Sequence, residues 1–124
     1  PLDAAGNLHV TAISPTRVSV FGPDGGFVRA IGEGAFDDQA GTMAIDATGR
    51  IYVTQGPDRG DLPGILVFRP DGTLIGGFGA EGLGEGQLVF PGGIALDGKG
   101  GLYVEDALAD SARLFRFELP AELR

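Results

Sequence analysis

The sequence predicts an all-β protein in which one four-stranded antiparallel unit is written three times. Three observations carry that expectation. The segment Ile51-Tyr52-Val53 recurs as Leu102-Tyr103-Val104 and, more faintly, as Leu8-His9-Val10. Each copy follows an acid-to-glycine turn of one length: Asp3-Ala4-Ala5-Gly6, Asp46-Ala47-Thr48-Gly49 and Asp97-Gly98-Lys99-Gly100. Helical periodicity is scarce, whereas short apolar runs bounded by Gly, Pro and Asp fill the chain. The turn aspartates stand 43 and 51 residues apart, a period at which fixed-interval repeats build solenoids or propellers.

The second copy, residues 33–79, is complete. It offers strands from Thr42 to Asp46, Arg50 to Gln55, Gly64 to Arg69 and Thr73 to Phe78. Asp-x-x-Gly supplies a side-chain acceptor at the start of the first turn and a residue tolerant of positive φ at its end. Pro70-Asp71-Gly72 joins the third strand to the fourth, as Pro23-Asp24-Gly25 does in the first copy, with Pro presetting φ. Tight hairpins of this kind make an antiparallel meander.

The first copy, residues 1–32, aligns with the second at a constant offset of 47 from Phe21-Gly22-Pro23-Asp24-Gly25 through Ile31-Gly32, and lacks most of its first strand. The third, residues 80–124, supplies strands from Gly93 to Asp97, Leu102 to Asp106 and Arg113 to Phe117, then ends without a clear fourth. Sheets with two apolar faces bury them by stacking on like sheets.

Composition agrees. Hydrophobic residues are 43% of the 124 and charged ones 21%, which favours a packed core over disorder. The 23 glycines and 8 prolines lie between apolar runs and act as turn chemistry. A net charge of -8 leaves little to attract phosphate backbones, so no nucleic-acid partner is expected. With no cysteine there is no disulfide framework or thiolate metal site. No apolar run reaches the ~18 residues of a spanning helix, so no membrane insertion is expected. The chain begins at Pro1 without a signal-peptide pattern, which suggests a processed protein or a piece of a longer one.

Phe78-Gly79, Gly82-Leu83-Gly84-Glu85-Gly86-Gln87-Leu88, Phe90-Pro91-Gly92-Gly93-Ile94-Ala95-Leu96-Asp97 and Gly101-Leu102-Tyr103-Val104-Glu105-Asp106 together resemble the NHL repeat. Arg113-Leu114-Phe115-Arg116-Phe117 is similar to that repeat's third strand. The second copy departs by lacking Phe-Pro before Thr42 and by carrying Gln55-Gly56 where the family commonly has a small residue and Asp. The resemblance implies a partial, three-blade β-propeller of four-stranded blades, half of a six-bladed ring. More blades from the same longer chain or a second copy would complete it. Propellers host many unrelated activities, so function has to come from a site.

The acids are unevenly placed. Loops expected between units carry Glu33, Asp37, Asp38, Glu81 and Glu85, and loops expected between second and third strands carry Asp58, Asp61, Glu105, Asp106 and Asp110. In a meander both loop classes emerge on one face. That face gathers ten of the 17 acids, with Arg59 as its one base. The resemblance implies that this is the binding face, and a one-signed surface steers partners of the opposite sign. The expected role is a non-enzymatic scaffold binding a basic protein surface or peptide, against the plain reading of solvated loops.

Other chemistry has less to stand on. No cofactor is expected: calcium needs six to eight oxygens, and Asp58, Asp61, Asp106 and Asp110 lack the dense spacing of a calcium loop. Arg59-Gly60-Asp61 resembles an integrin-recognition tripeptide, a match short enough to arise by chance. His9 is the lone histidine, too few for a zinc site, and it takes the place of Tyr52 and Tyr103, a packing position. Ser14, Ser19 and Ser111 lie in no nucleophile elbow, and the Gly32 and Gly82–Gly86 stretches lack the strand-to-helix context of a phosphate cradle. The alternative reading is a segment of a propeller hydrolase or lyase whose metal ligands lie in other blades. The resemblance points to an extracellular or cell-envelope home.

Overall fold

The computed structural model describes residues 1–13, 16–36, 40–56, 62–80, 82–108 and 110–119. Among them the chain is all β, with no helix, in three antiparallel sheets of three, four and three strands. The first sheet holds β1 (Leu8–Ile13), β2 (Thr16–Phe21) and β3 (Phe27–Ile31) in chain order. The second holds β4 (Ala40–Ile45), β5 (Ile51–Gln55), β6 (Ile65–Phe68) and β7 (Leu74–Phe78). The third holds β8 (Pro91–Leu96), β9 (Gly101–Ala107) and β10 (Ala112–Glu118).

The turns follow from their chemistry. Asp46 accepts the backbone N–H of Thr48 (2.9 Å) and Arg50 (3.0 Å) on Oδ1, while Gly49 turns at φ 90°. Asp3 and Asp97 do the same for Ala5 and Asn7 and for Lys99 and Gly101. These three acids are therefore occupied in shaping hairpins. The hairpin between β6 and β7 closes through Gly72 N–H on Arg69 C=O (2.9 Å) and Thr73 N–H on the Asp71 carboxylate (2.9 Å).

Stacking follows from strand alternation. Every residue of β5 and β6 is buried. Ile51, Val53, Leu66 and Phe68 pack with Val18, Val20 and Ile31 of the first sheet and with Phe36 of the segment that follows it. Their alternates Tyr52, Ile65 and Val67 pack with Leu102 and Val104 of the third sheet and with Leu88 and Leu119. The middle sheet is thus apolar on both faces. Burying each such side chain stabilises by roughly 1.5–3 kcal/mol. A charged residue at Val53 or Ile65 would break one of the two stacks.

The main backbone approaches between sheets pair β1 and β2 with β4, and β4 and β5 with β8. The Thr42 hydroxyl of β4 donates to the Gly92 carbonyl of β8. Early strands of adjacent sheets therefore lie near one another. β1 stands to β4 as β5 stands to β8.

The strand expected from Leu102 to Asp106 is present as part of β9, whereas the loop placement expected for Glu105 and Asp106 is not, and that matters for the site. Glu105 and Asp106 belong to β9 and not to the loop after it. The hairpin register runs on to Ala107↔Ala112, so pairing continues past the point where the acids suggested a turn.

Candidate functional site

The end of the third sheet where β9 turns into β10 meets the connector that leads from β7 to β8. Asp106 and Arg113 face each other across the hairpin. Alternation turns both toward the second sheet, with Val104 and Phe115. The Asp106 side chain is fully buried. Its Oδ1 accepts the Phe90 N–H at 2.8 Å, both oxygens accept the Val89 N–H at 2.9–3.0 Å, and Oδ2 takes Arg113 Nη2 at 2.7 Å.

Arg113 continues the network. Nη1 donates to the Leu83 carbonyl at 2.8 Å, and Nη2 reaches the carbonyls of Gly82 and Gln87 at 3.3 Å. Its guanidinium also lies 4.7 Å from the Phe115 ring centroid, near enough for a cation–π contact. A buried carboxylate with several N–H donors is a satisfied charge. One strand-end pair thus clamps the connector at both of its ends.

Asp106 is accordingly a correction to the acidic face. It is consumed inside the fold and offers nothing to a partner. Glu105 is exposed, but it projects from the outer face of β9 opposite Leu114 and not from a loop. Glu85 and Asp110 are exposed in the connector and in the β9–β10 loop, as expected. Glu33 is exposed beyond β3 and lies 3.4 Å from Arg17, a surface pair of small energetic weight. Asp37, Asp38, Asp58, Arg59, Asp61 and Glu81 lie outside the described residues, and so does the Arg59-Gly60-Asp61 tripeptide.

A hollow of about 480 Å³ opens beside the clamp, lined by Leu83, Val89, Leu108, Asp110 and Ser111. Leu83 is 70% exposed although its backbone carbonyl is held by Arg113. The Leu108 N–H bonds the Ser111 carbonyl at 2.8 Å and closes the loop that forms the opposite wall. Apolar walls with one exposed carboxylate suit a side chain that is aliphatic along its stem and cationic at its tip.

His9 lies elsewhere, in β1, paired with Val20 and turned toward the second sheet. It is buried, which lowers its pKa and favours the neutral ring. Its Nδ1 has no hydrogen-bond partner among the described residues. No group of three or more His, Asp or Glu is placed to hold a metal ion among those residues.

The sequence reading missed the clamp and the hollow. A signal for the clamp was present, since Asp106 and Arg113 flank a hairpin loop at positions that become cross-strand neighbours once the register is known. The equivalent register positions hold Ala12 opposite Arg17 in the first sheet, and Gln55 in the second. There the Gln55 side chain, nearly fully buried, donates to the Pro63 carbonyl at 2.6 Å. No protein-family model matches this chain, and no curated protein matches it either, so its functional reading rests on its own residues.

Proposed function

We propose that the chain forms blades of an NHL-type β-propeller and serves as a non-enzymatic scaffold that binds a basic segment of a partner protein at its acidic loop end. Support for the blade reading comes from the repeated stacking of three meanders in chain order, with early strands near one another and bridged by Thr42 and Gly92. Sheets that stack this way around an axis fit a ring of like units. The remaining units come from further chain or a second copy.

The observation that carries the binding role is the hollow between Leu83, Val89 and Leu108, with Asp110 on its wall and Glu85 exposed on the same connector. The clamp holds this connector before any partner arrives. Less ordering is then needed on binding, which favours affinity.

A fluorescent peptide alternating leucine with lysine or arginine tests this by anisotropy over a salt series. Asp110→Lys combined with Leu83→Ser should weaken binding by about tenfold or more, equal to about 1.4 kcal/mol, and should flatten its salt dependence. Unchanged affinity and salt slope in that variant, with its circular dichroism intact, would remove the loop end as the binding site.

A further inference from the structure

The geometry points to a modification site in the turn from β8 to β9: between Asp97 and Gly98 the chain closes spontaneously to a succinimide, which water reopens to aspartate or isoaspartate. The reaction needs only the chain and water. It lies at the opposite end of β9 from the loop end proposed for binding and is independent of that reading.

In this reaction the backbone nitrogen of Gly98 attacks Asp97 Cγ. The N–Cγ bond forms, the Cγ–Oδ2 bond breaks, and Oδ2 leaves as water with the amide proton and one proton from solvent. Water then adds to one of the two imide carbonyls. Cleaving N–Cγ restores aspartate, whereas cleaving the bond from nitrogen to the backbone carbonyl carbon routes the chain through Cβ and Cγ. Isoaspartate therefore lengthens the backbone of the hairpin turn and moves the carboxylate to Cα.

Three conditions favour the attack: a following residue without a Cβ, an amide free of other hydrogen bonds, and donors on the oxygen that becomes an oxyanion. The fold separates them elsewhere. Asp3 holds the N–H groups of Ala5 and Asn7 on Oδ1, and Asp46 those of Thr48 and Arg50, but alanine follows each of these acids. Asp24 and Asp71 precede glycine, yet the Gly25 N–H donates to the Gly22 carbonyl and the Gly72 N–H to the Arg69 carbonyl, both at 2.9 Å. On their Oδ1 atoms, Asp24 takes the Gly26 N–H and Asp71 the Thr73 N–H.

Asp97 meets all three conditions. Gly98 follows it, exposed, at φ 75° with open space where a Cβ would stand. Its N–H has no partner among the described residues. Asp97 Oδ1 takes the N–H groups of Lys99 at 2.7 Å and Gly101 at 2.9 Å, both in place to hold the oxyanion that attack on Cγ creates. Arg116 Nη2 stands 3.6 Å from Oδ2, the oxygen that departs. The turn is also looser than its counterparts. Gly6 and Gly49 donate to the Asp3 and Asp46 carbonyls at 3.1 and 3.0 Å, whereas Gly100 makes no such bond to Asp97 among the described residues. Such slack lets the backbone rotate into the ring geometry.

Incubating the full chain in heavy-oxygen water at neutral pH tests the inference, because each reopening leaves one labelled oxygen in the product. Tandem mass spectrometry of proteolytic peptides locates the label, and chromatography separates isoaspartate from aspartate at equal mass. Asp97 should gain label about fivefold faster than Asp24 and Asp71, the factor set by one turn hydrogen bond that need not open. In urea the three sites should label at one rate, since each is then a bare Asp-Gly pair. Equal labelling of the three in the folded chain overturns the inference, and so does an excess at Asp97 that survives in urea.

Discussion

Replacing Asp106 with alanine should cost about 3 kcal/mol of stability, an unusually large effect for a single acid in so acidic a chain. The figure follows from what the carboxylate holds. It accepts the N–H groups of Val89 and Phe90 and the Arg113 guanidinium, and its side chain is fully buried. Removing one member of a buried ion pair costs about 3–5 kcal/mol. The lower end applies because the Arg113 side chain is 23% exposed and retains three carbonyl acceptors. Asp106→Asn keeps one acceptor oxygen but turns an NH2 toward other N–H groups, so about 2 kcal/mol is expected. Urea unfolding with linear extrapolation measures both. In a cycle with Arg113→Met the double variant should be more stable than the summed losses by about 1 kcal/mol or more. A loss under about 1 kcal/mol for Asp106→Ala, or strict additivity, would refute the clamp.

Three further outcomes follow from the same geometry. Burial, with the Asp46 carboxylate beside it, pushes the Tyr52 hydroxyl up to about 12 from 10.0. The stability it contributes is therefore full below pH 10 and lost as pH rises through about 12, and the difference between wild type and Tyr52→Phe should vanish over that window in unfolding curves. Gly79 turns at φ 82°, and an added Cβ would stand 2.6 Å from the buried Leu88 Cδ1. Gly79→Ala should lose about 2 kcal/mol, against about 1 kcal/mol for Gly25→Ala at an open turn, both read from urea midpoints. The N–H groups of Lys99 and Gly101, with Arg116 nearby, hold the Asp97 carboxyl below its usual 3.8. Its contribution is present above pH 3.8 and lost as pH falls through the lower folded value; a carboxyl NMR titration with a midpoint at or above 3.8 would contradict this.

Much of the fold was legible because its signals are local. Asp46 and Gly49 settle a hairpin within four residues, and the offset of 47 carries Phe21 onto Phe68 without reference to the rest of the chain. The alternation of Ile51, Val53 and Tyr52 already implied two buried faces, hence stacked sheets. The fate of Asp106 was not legible, since it depends on a register reaching Ala107 and on a connector folding back from Gly79 to Phe90. Counting charges along the sequence treats Asp106 and Asp110 alike. Pairing separates them, one turned into the stack and one left on the rim.

That separation bears on why a binding site would arise in one repeat and not be copied around all three. The register position of Asp106 is alanine in the first sheet and glutamine in the second, and neither can hold a guanidinium as a carboxylate does. Arg17, the counterpart of Arg113, instead reaches Ser19 and the exposed Glu33. Among the described residues, only in the third sheet does the arginine bind connector carbonyls, and only there does a hairpin end fix the backbone of an exposed leucine. If the clamp is what makes the hollow competent, then Asp106→Asn should weaken peptide capture even though Asp106 touches no ligand. Asp110→Asn should weaken capture while leaving urea stability within about 0.5 kcal/mol of wild type. Loss of binding in both variants, with loss of stability in only the first, is the pattern that distinguishes a positioned site from a merely acidic surface.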